Sequence, residues 1–443
     1  MKLHWILMLA AAPMLAAPPT VIRNANVLTV TKGRFQGSIL VRDGKIVEAG
    51  EKVLVPEGAR VIDASGQYVM PGIIDAHSHI ASESTNEGSI SVSSMVTMKD
   101  VLNPEDIAIY RALAGGVTTA LILHGSANAI GGVCLPIKMR WGKDAQAIVV
   151  DGYKPVLKMA LGENPKRSGV RQIGVAIPPR YPATRMGVED VIREAFTKAV
   201  AYRQSWRDYE ATVKRGEKPL PPRRDLKLEP LVDALEGRSL VHVHAYRADE
   251  ILMILRLGDE FGFQIKALIH VLEGYKVAKE IVAHKATATT FSDWWAYKME
   301  VIDAIPYNAT LMMRKGVLVS LNSDSAELMR HLNQEAAKTI KYGGATEDEA
   351  LAMITINAAK QLDLDHRIGS IEPGKDADLV IYDKHPLSNY AKVQKVLIDG
   401  EVYFDRDRDV SERSAQEARR KALLEKAKEL QKKSGPPSTR RPS

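Results

Sequence analysis

The sequence predicts an α/β protein, a (β/α)8 TIM-type barrel joined to a β-sandwich that is built from the N- and C-terminal segments. Three observations predict it. Short β-rich runs occupy both ends of the chain, apolar strands alternate with helical patterns between them, and histidines gather at the C-terminal ends of those strands.

The N-terminal β-rich part covers residues 19–68, with Val21-Ile22, Val27 to Val30, Ser38 to Val41 and Lys45 to Val47. Asp43-Gly44 between the last two is a hairpin turn signal. Its counterpart covers residues 361–408, with Ala377 to Tyr382, Val393 to Ile398, Asp399-Gly400 and Val402 to Phe404. The barrel is assigned to residues 69–360. Its strands are read at Ile73–Asp75, Thr119–Leu123, Ala147–Val150, Val156–Ala160, Leu240–His244, Ile265–His270, Ala286–Thr290 and Leu318–Leu321. A helix is expected from about Pro104 to Ala114, closed by Gly115-Gly116. Residues 188–230 read as a helical insertion that ends in Lys218-Pro219-Leu220-Pro221-Pro222-Arg223-Arg224.

The two ends carry other signals. Residues 1–18 read as a signal peptide: Lys2, the apolar run Ile6 to Ala12, then Leu15-Ala16-Ala17. The expectation is export, to the periplasm or the medium, with no stable membrane insertion. Residues 409–443 read as a basic helical and disordered tail. From Ser411 onward, ten Lys/Arg against four Glu account for six of the formal net charge of +7, so the body is nearly neutral. That balance argues against a nucleic-acid partner. A homo-oligomer is left open. With 45% apolar and 26% charged residues, the chain is a folded one, and its single cysteine, Cys134, allows no internal disulfide.

The chemistry-bearing residues sit at strand ends. His77 and His79 follow Gly72-Ile73-Ile74-Asp75-Ala76, and residues i and i+2 of a strand share a side, so both imidazoles reach one cation. Lys158 lies within the apolar Val156-Leu157-Lys158-Met159-Ala160, where a charged amine is costly unless paired or chemically changed. His242 and His244 end the fifth strand, His270 the sixth, and Asp324 follows the eighth. A strand-end Asp is more often a helix cap and a lone His a satisfied core residue, but the coincidence over five strands favours a shared site.

These motifs carry a resemblance. From about Thr20 to Asp405 the chain resembles the amidohydrolase superfamily, in the branch of imidazolonepropionase-like proteins and Xaa-Pro dipeptidases. The residues are Val69-Met70-Pro71-Gly72-Ile73-Ile74-Asp75-Ala76-His77-Ser78-His79, Gly116-Val117-Thr118-Thr119, Asn322-Ser323-Asp324-Ser325 and Gly369 to Val380. The resemblance implies that His77, His79 and Asp324 hold one metal, and His244 and His270 a second. It implies that Lys158, carbamylated by carbon dioxide, bridges them. His242 competes with His244, which is preferred because the family's ligand precedes a small residue, here Ala245. Glu163 departs from the Gly-rich turn of relatives and is the alternative to the carbamate. Zinc suits these ligands, ahead of manganese or iron. The expected reaction is attack of a metal-bridging hydroxide on an amide-type C–N bond of a dipeptide or N-acyl amino acid, with Asp324 as the proton carrier. Arg247 is the expected anchor for a substrate carboxylate, with Arg185 and Tyr246 as weaker candidates. A deaminase or cyclic amidase is the alternative enzyme, and a non-catalytic binding protein the alternative class.

Overall fold

The computed structural model describes residues 18–167 and 180–434, so the expected leader up to residue 17 and the end of the expected tail, residues 435–443, lie outside the described residues. The two ends of the chain meet in one sheet. Its N-terminal strands are β1 (Thr20–Leu28), β2 (Arg34–Arg42), β3 (Lys45–Gly50), β4 (Arg60–Asp63) and β5 (Tyr68–Pro71). The barrel strands β6 to β13 come next in the chain, and β14 (Leu379–Tyr382), β15 (Val393–Ile398) and β16 (Glu401–Asp405) return to this sheet. The order is β16-β15-β14-β5-β1-β2-β3, with β4 beside β1. The join is the antiparallel pair β5–β14, from Leu379 opposite Pro71 to Tyr382 opposite Tyr68. Asp43-Gly44 and Asp399-Gly400 make the two hairpins, all four residues at positive φ, as tight two-residue turns require. Ile22, Val27, Ile39, Val69, Leu379 and Leu397 form a core for this sheet separate from the barrel's.

The barrel strands are β6 (Ile73–Ser78), β7 (Val117–Ile122), β8 (Ile130–Lys138), β9 (Val156–Ala160), β10 (Leu240–Ala245), β11 (Ile265–His270), β12 (Thr287–Thr290) and β13 (Val319–Leu321), hydrogen-bonded in sequence order. Seven run parallel, and β8 runs antiparallel to both neighbours. This corrects the reading of the third strand. Residues Ala145–Ile148 form a short helix instead, because the Asp144 side chain caps it by accepting from the Gln146 and Ala147 N–H groups. The true third strand was hidden by Gly131, Gly132 and Pro136, which weaken a strand signature. Every residue of β6, β7, β9 and β10 is buried, as strands covered on both faces must be.

The insertion is a 30-residue helix, Arg185–Lys214, started by the Thr184 side chain accepting from Gly187 N–H. The first barrel helix is Ile107–Ala114, capped by Asp106. A helix from Arg406 to Ser434 closes the described chain. No helix among the described residues is long and apolar enough to cross a membrane. Barrel and sheet are clamped by one buried ion cluster. Lys138, at the end of β8, places its Nζ 2.8 Å from Asp376 and 3.2 Å from Asp378, and also pairs with Asp399.

Candidate active site

The C-terminal ends of the barrel strands converge on one cluster. His77 and His79 leave β6 with their Nε2 atoms 3.1 Å apart, and each lies 3.3 Å from Asp324 Oδ1. His270 Nε2, from the end of β11, lies 3.8 Å from the other oxygen of Asp324. Ligand atoms of His77, His270 and Asp324 all lie within 4.8 Å of one another. The His244 ring, from β10, packs edge-on against His270 with centroids 4.7 Å apart. Lys158 projects from β9, fully buried.

The backbone is strained where these groups are presented. His270 has φ +74° and Asp324 φ +49°, a left-handed conformation that costs a non-glycine residue about 1 kcal/mol or more. Asp324 is held there by its N–H, which donates to the His77 carbonyl at 3.3 Å. Asp75 accepts from the N–H of His77 at 3.1 Å, from the N–H of Ser323 at 3.2 Å and from the Ser323 hydroxyl, tying β13's end to β6. Burial pushes the Asp75 carboxyl up to about 7, opposed by the Ser323 hydroxyl.

The electrostatics favour neutral imidazoles beside one ionised carboxylate. Burial, reinforced by the charge of Lys158, pushes His77 down to about 3 and holds His244 well below the usual histidine range. Burial does the same to His270. Burial alone would raise Asp324, but the imidazoles packed around it, His77 first and then His79, hold it far below the usual carboxylate range. His79 Nδ1 lies 2.8 Å from the Leu123 carbonyl, a contact that orients the ring with its Nε2 toward the cluster. Ser126 Oγ lies 3.0 Å from His244 Nδ1.

Several polar atoms in the site have no partner. Lys158 Nζ, His244 Nε2, His77 Nδ1 and His270 Nδ1 are buried without a hydrogen bond among the described residues. Burial lowers the Lys158 amine to about 8. Such orphans are expensive in a folded protein. A set of neutral imidazoles, one ionised carboxylate and an unpartnered amine is the donor chemistry of a zinc-type centre. The residues present therefore fit a metal site.

The other predicted residues divide. His242 is turned away, its Nε2 3.3 Å from the Gln361 carbonyl, so the structure brings His244 and not His242 against His270. Glu163 opens a short helix, lies 4.0 Å from Lys166, and makes no bond to Lys158 Nζ. Arg247 has a local partner. It stands just ahead of the helix Ala248–Phe261, and its Nε donates to Asp249 at 2.9 Å on the exposed side of that turn. The helix start draws in Asp249, and the guanidinium follows that charge. Arg185 is engaged by two buried carboxylates, Glu250 and, at 3.3 Å, Glu300. Tyr246 does line the site, stacked on His270 at 5.1 Å. Sequence reasoning missed Asp75, Ser126, Glu250, Phe291, Tyr297 and Glu300. Asp75 carried a signal, an acid inside an apolar strand; Glu250 sits in the first turn of the helix Ala248–Phe261 and Glu300 in a single 3-10 turn, and these and the loop residues carry none.

A barrel with a cluster of metal-ligating type at the C-terminal ends of its strands defines a metal-site hydrolase class. Comparison with known proteins places the chain within it. The amidohydrolase family pattern matches residues 231–403. The solved structure of an amidohydrolase from Thermotoga maritima MSB8 is 36% identical, with a TM-score of 0.80, covering 87% of this chain and 100% of that one. Amidohydrolase tasK of Hapsidospora irregularis is 32% identical over 432 residues, which span 87% of this chain and only 43% of that relative's own length. A 5-methylthioadenosine/S-adenosylhomocysteine deaminase of Symbiobacterium thermophilum is 27% identical over 397 residues, covering 78% of this chain and 80% of its own. The chain belongs to the amidohydrolase family and is a hydrolase acting on carbon–nitrogen bonds.

Proposed function

We propose that the protein cleaves an amide-type C–N bond of a small substrate, a dipeptide or an N-acyl amino acid, at a centre of two divalent ions, zinc by preference. The observation that carries this reading is the buried, unpartnered amine of Lys158 beside the histidine–aspartate cluster. An amine pushed down to about 8 has a neutral fraction near neutral pH, and only the neutral form adds carbon dioxide. The N–C bond forms, one proton leaves, and a carbamate results whose two oxygens can each serve one ion. His77, His79 and Asp324 would hold the first ion, and His244 and His270 the second.

Divalent ions held by these residues would supply a water of lowered pKa and polarisation of a substrate carbonyl. The chain's own residues supply the rest. Asp324, ionised and facing three imidazoles, accepts the proton of the attacking water and passes it to the leaving nitrogen. The Leu123 carbonyl and Ser126 hold the rings of His79 and His244 in orientation. Asp75 keeps β6 and β13 in register, so that the histidine pair and Asp324 stay opposed.

Deamination is the second reading, favoured by the deaminase relative. One experiment separates the two. Protein of measured metal content is assayed against N-acyl amino acids, dipeptides and amino-purines, with released amino acid and ammonia both quantified. Amino acid release supports the amidohydrolytic reading, ammonia alone supports deamination, and inertness of the loaded protein toward all three refutes the proposal. Export is a further proposal, resting on Lys2, the apolar run to Ala12 and Leu15-Ala16-Ala17. The mature N-terminus is then expected near residue 17 to 20, and intact Met1 on cytosolic protein contradicts it.

A further inference from the structure

The segment that follows β12 does not return straight to the next helix. It starts at Phe291, whose ring stacks on His270 of β11 with centroids 4.9 Å apart. Trp294 stacks on Phe291 at 4.0 Å, and Tyr297 meets Trp294 edge-on at 5.5 Å. The Tyr297 hydroxyl then donates to that of Tyr246, just past β10, at 2.9 Å. Lys298 lies 4.3 Å from the centre of the Tyr246 ring. At Glu300 the segment reaches the exit of β9, where a carboxylate oxygen accepts from the Glu163 N–H at 2.7 Å and from Arg185 at 3.3 Å. Within ten residues the chain has passed from β12 along the ends of β11, β10 and β9, the strands that carry His270, His244 and Lys158.

The anchorage is built for that end point. Glu300, the middle residue of a single 3-10 turn (Met299–Val301), is 3% exposed and also pairs with Lys298 at 2.9 Å. Gly162 makes room for it. A Cβ there would lie 2.1 Å from the Glu300 oxygen, and φ is +79°. A buried carboxylate is costly unless it is paired, so its pairing with Arg185 and Lys298 fixes the segment's course.

The geometry points to a strap, residues 291–301, that lies across the mouth of the active site and limits its substrates to small molecules with free ends, with Glu300 as the positioning residue that fastens it. This rests on the hydrolytic reading of the site. A peptide continuing beyond a dipeptide on that side would have to displace the Phe291–Trp294–Tyr297 stack. The strap therefore sets substrate length, and the metal cluster does the chemistry.

The test uses the full chain, zinc-loaded, as wild type, Glu300→Ala and Glu300→Gln. Three quantities are read: trypsin cleavage after Lys298, escape of zinc to a chelator, and the kcat/KM ratio of tetrapeptide to dipeptide. The first two need no substrate, so they stand even if no dipeptide is cleaved, a result that counts against the function and not against the strap. In Glu300→Ala, cleavage and zinc escape are expected to rise at least tenfold, and the length ratio about tenfold. Glu300→Gln keeps an acceptor for the Glu163 N–H and falls between. Gly162→Ala, which pushes the strap off from beneath, should reproduce the effect if Glu300→Ala does not fold. Unchanged cleavage and zinc escape overturn the strap, and a loosened strap with an unchanged length ratio overturns the size limit.

Discussion

Replacing Lys158 by methionine tests the state of the buried amine. In metal-free protein the ammonium has no partner, and burial lowers it from 10.5 to about 8. A shift of about 2.5 units at about 1.4 kcal/mol each amounts to ~3 kcal/mol against the charged form. Below pH 8 the folded and unfolded chains both carry the proton, so the penalty is full. Between 8 and 10.5 the unfolded chain holds a proton that the folded chain has released, so stability rises with pH through that window. Methionine fills a similar volume without charge. Metal-free Lys158→Met should therefore be more stable than metal-free wild type by up to about 3 kcal/mol at pH 7, with the advantage falling below about 1 kcal/mol at pH 10. Urea unfolding in the presence of a chelator at the two pH values measures it. The same substitution should abolish turnover in metal-supplemented protein. A metal-free variant less stable than wild type at pH 7 would mean that the amine has a stabilising partner, and the carbamate assignment would fall.

Lys138→Met leaves Asp376 and Asp378 buried without their ammonium, and should cost about 3–5 kcal/mol of stability by urea unfolding. Adding Asp378→Asn should recover part of that loss. For Asp376, burial raises the carboxyl but Lys138 outweighs it and holds the group at about 2. Its contribution, roughly 2 kcal/mol, is present above pH 4 and lost as pH falls toward 2. Thermal melts of wild type and Asp376→Asn should therefore converge over that window, and curves that stay parallel would contradict it. Ser126→Ala frees the His244 ring and should weaken metal affinity about 10-fold or more, with the fold unchanged by circular dichroism.

The legible features of the sequence were those set by local chemistry. The β-branched run ending in His77 and His79 declared both a buried strand and the direction of its side chains. The amine of Lys158 in an apolar strand announced an unusual environment, and both Asp-Gly hairpins fell where turn geometry demands. The third strand was not legible, because Gly131, Gly132 and Pro136 suit a reversed strand packed between β7 and β9 and resemble a loop in isolation. The Asp249 partner of Arg247 was not legible, because position on the rim follows from strand register, whereas the direction of the guanidinium follows from a neighbouring charge. Phe291, Tyr297 and Glu300 have roles only once the segment from β12 reaches the exit of β9, a contact that no spacing encodes.

Metal content measured together with activity bears most directly on the central claim. The purified protein should hold close to two divalent ions per chain. Chelation should abolish hydrolysis, added zinc should restore it, and Asp324→Asn should remain inactive at full metal supplementation while keeping its fold. Metal-free protein that retains full hydrolytic activity would contradict the account.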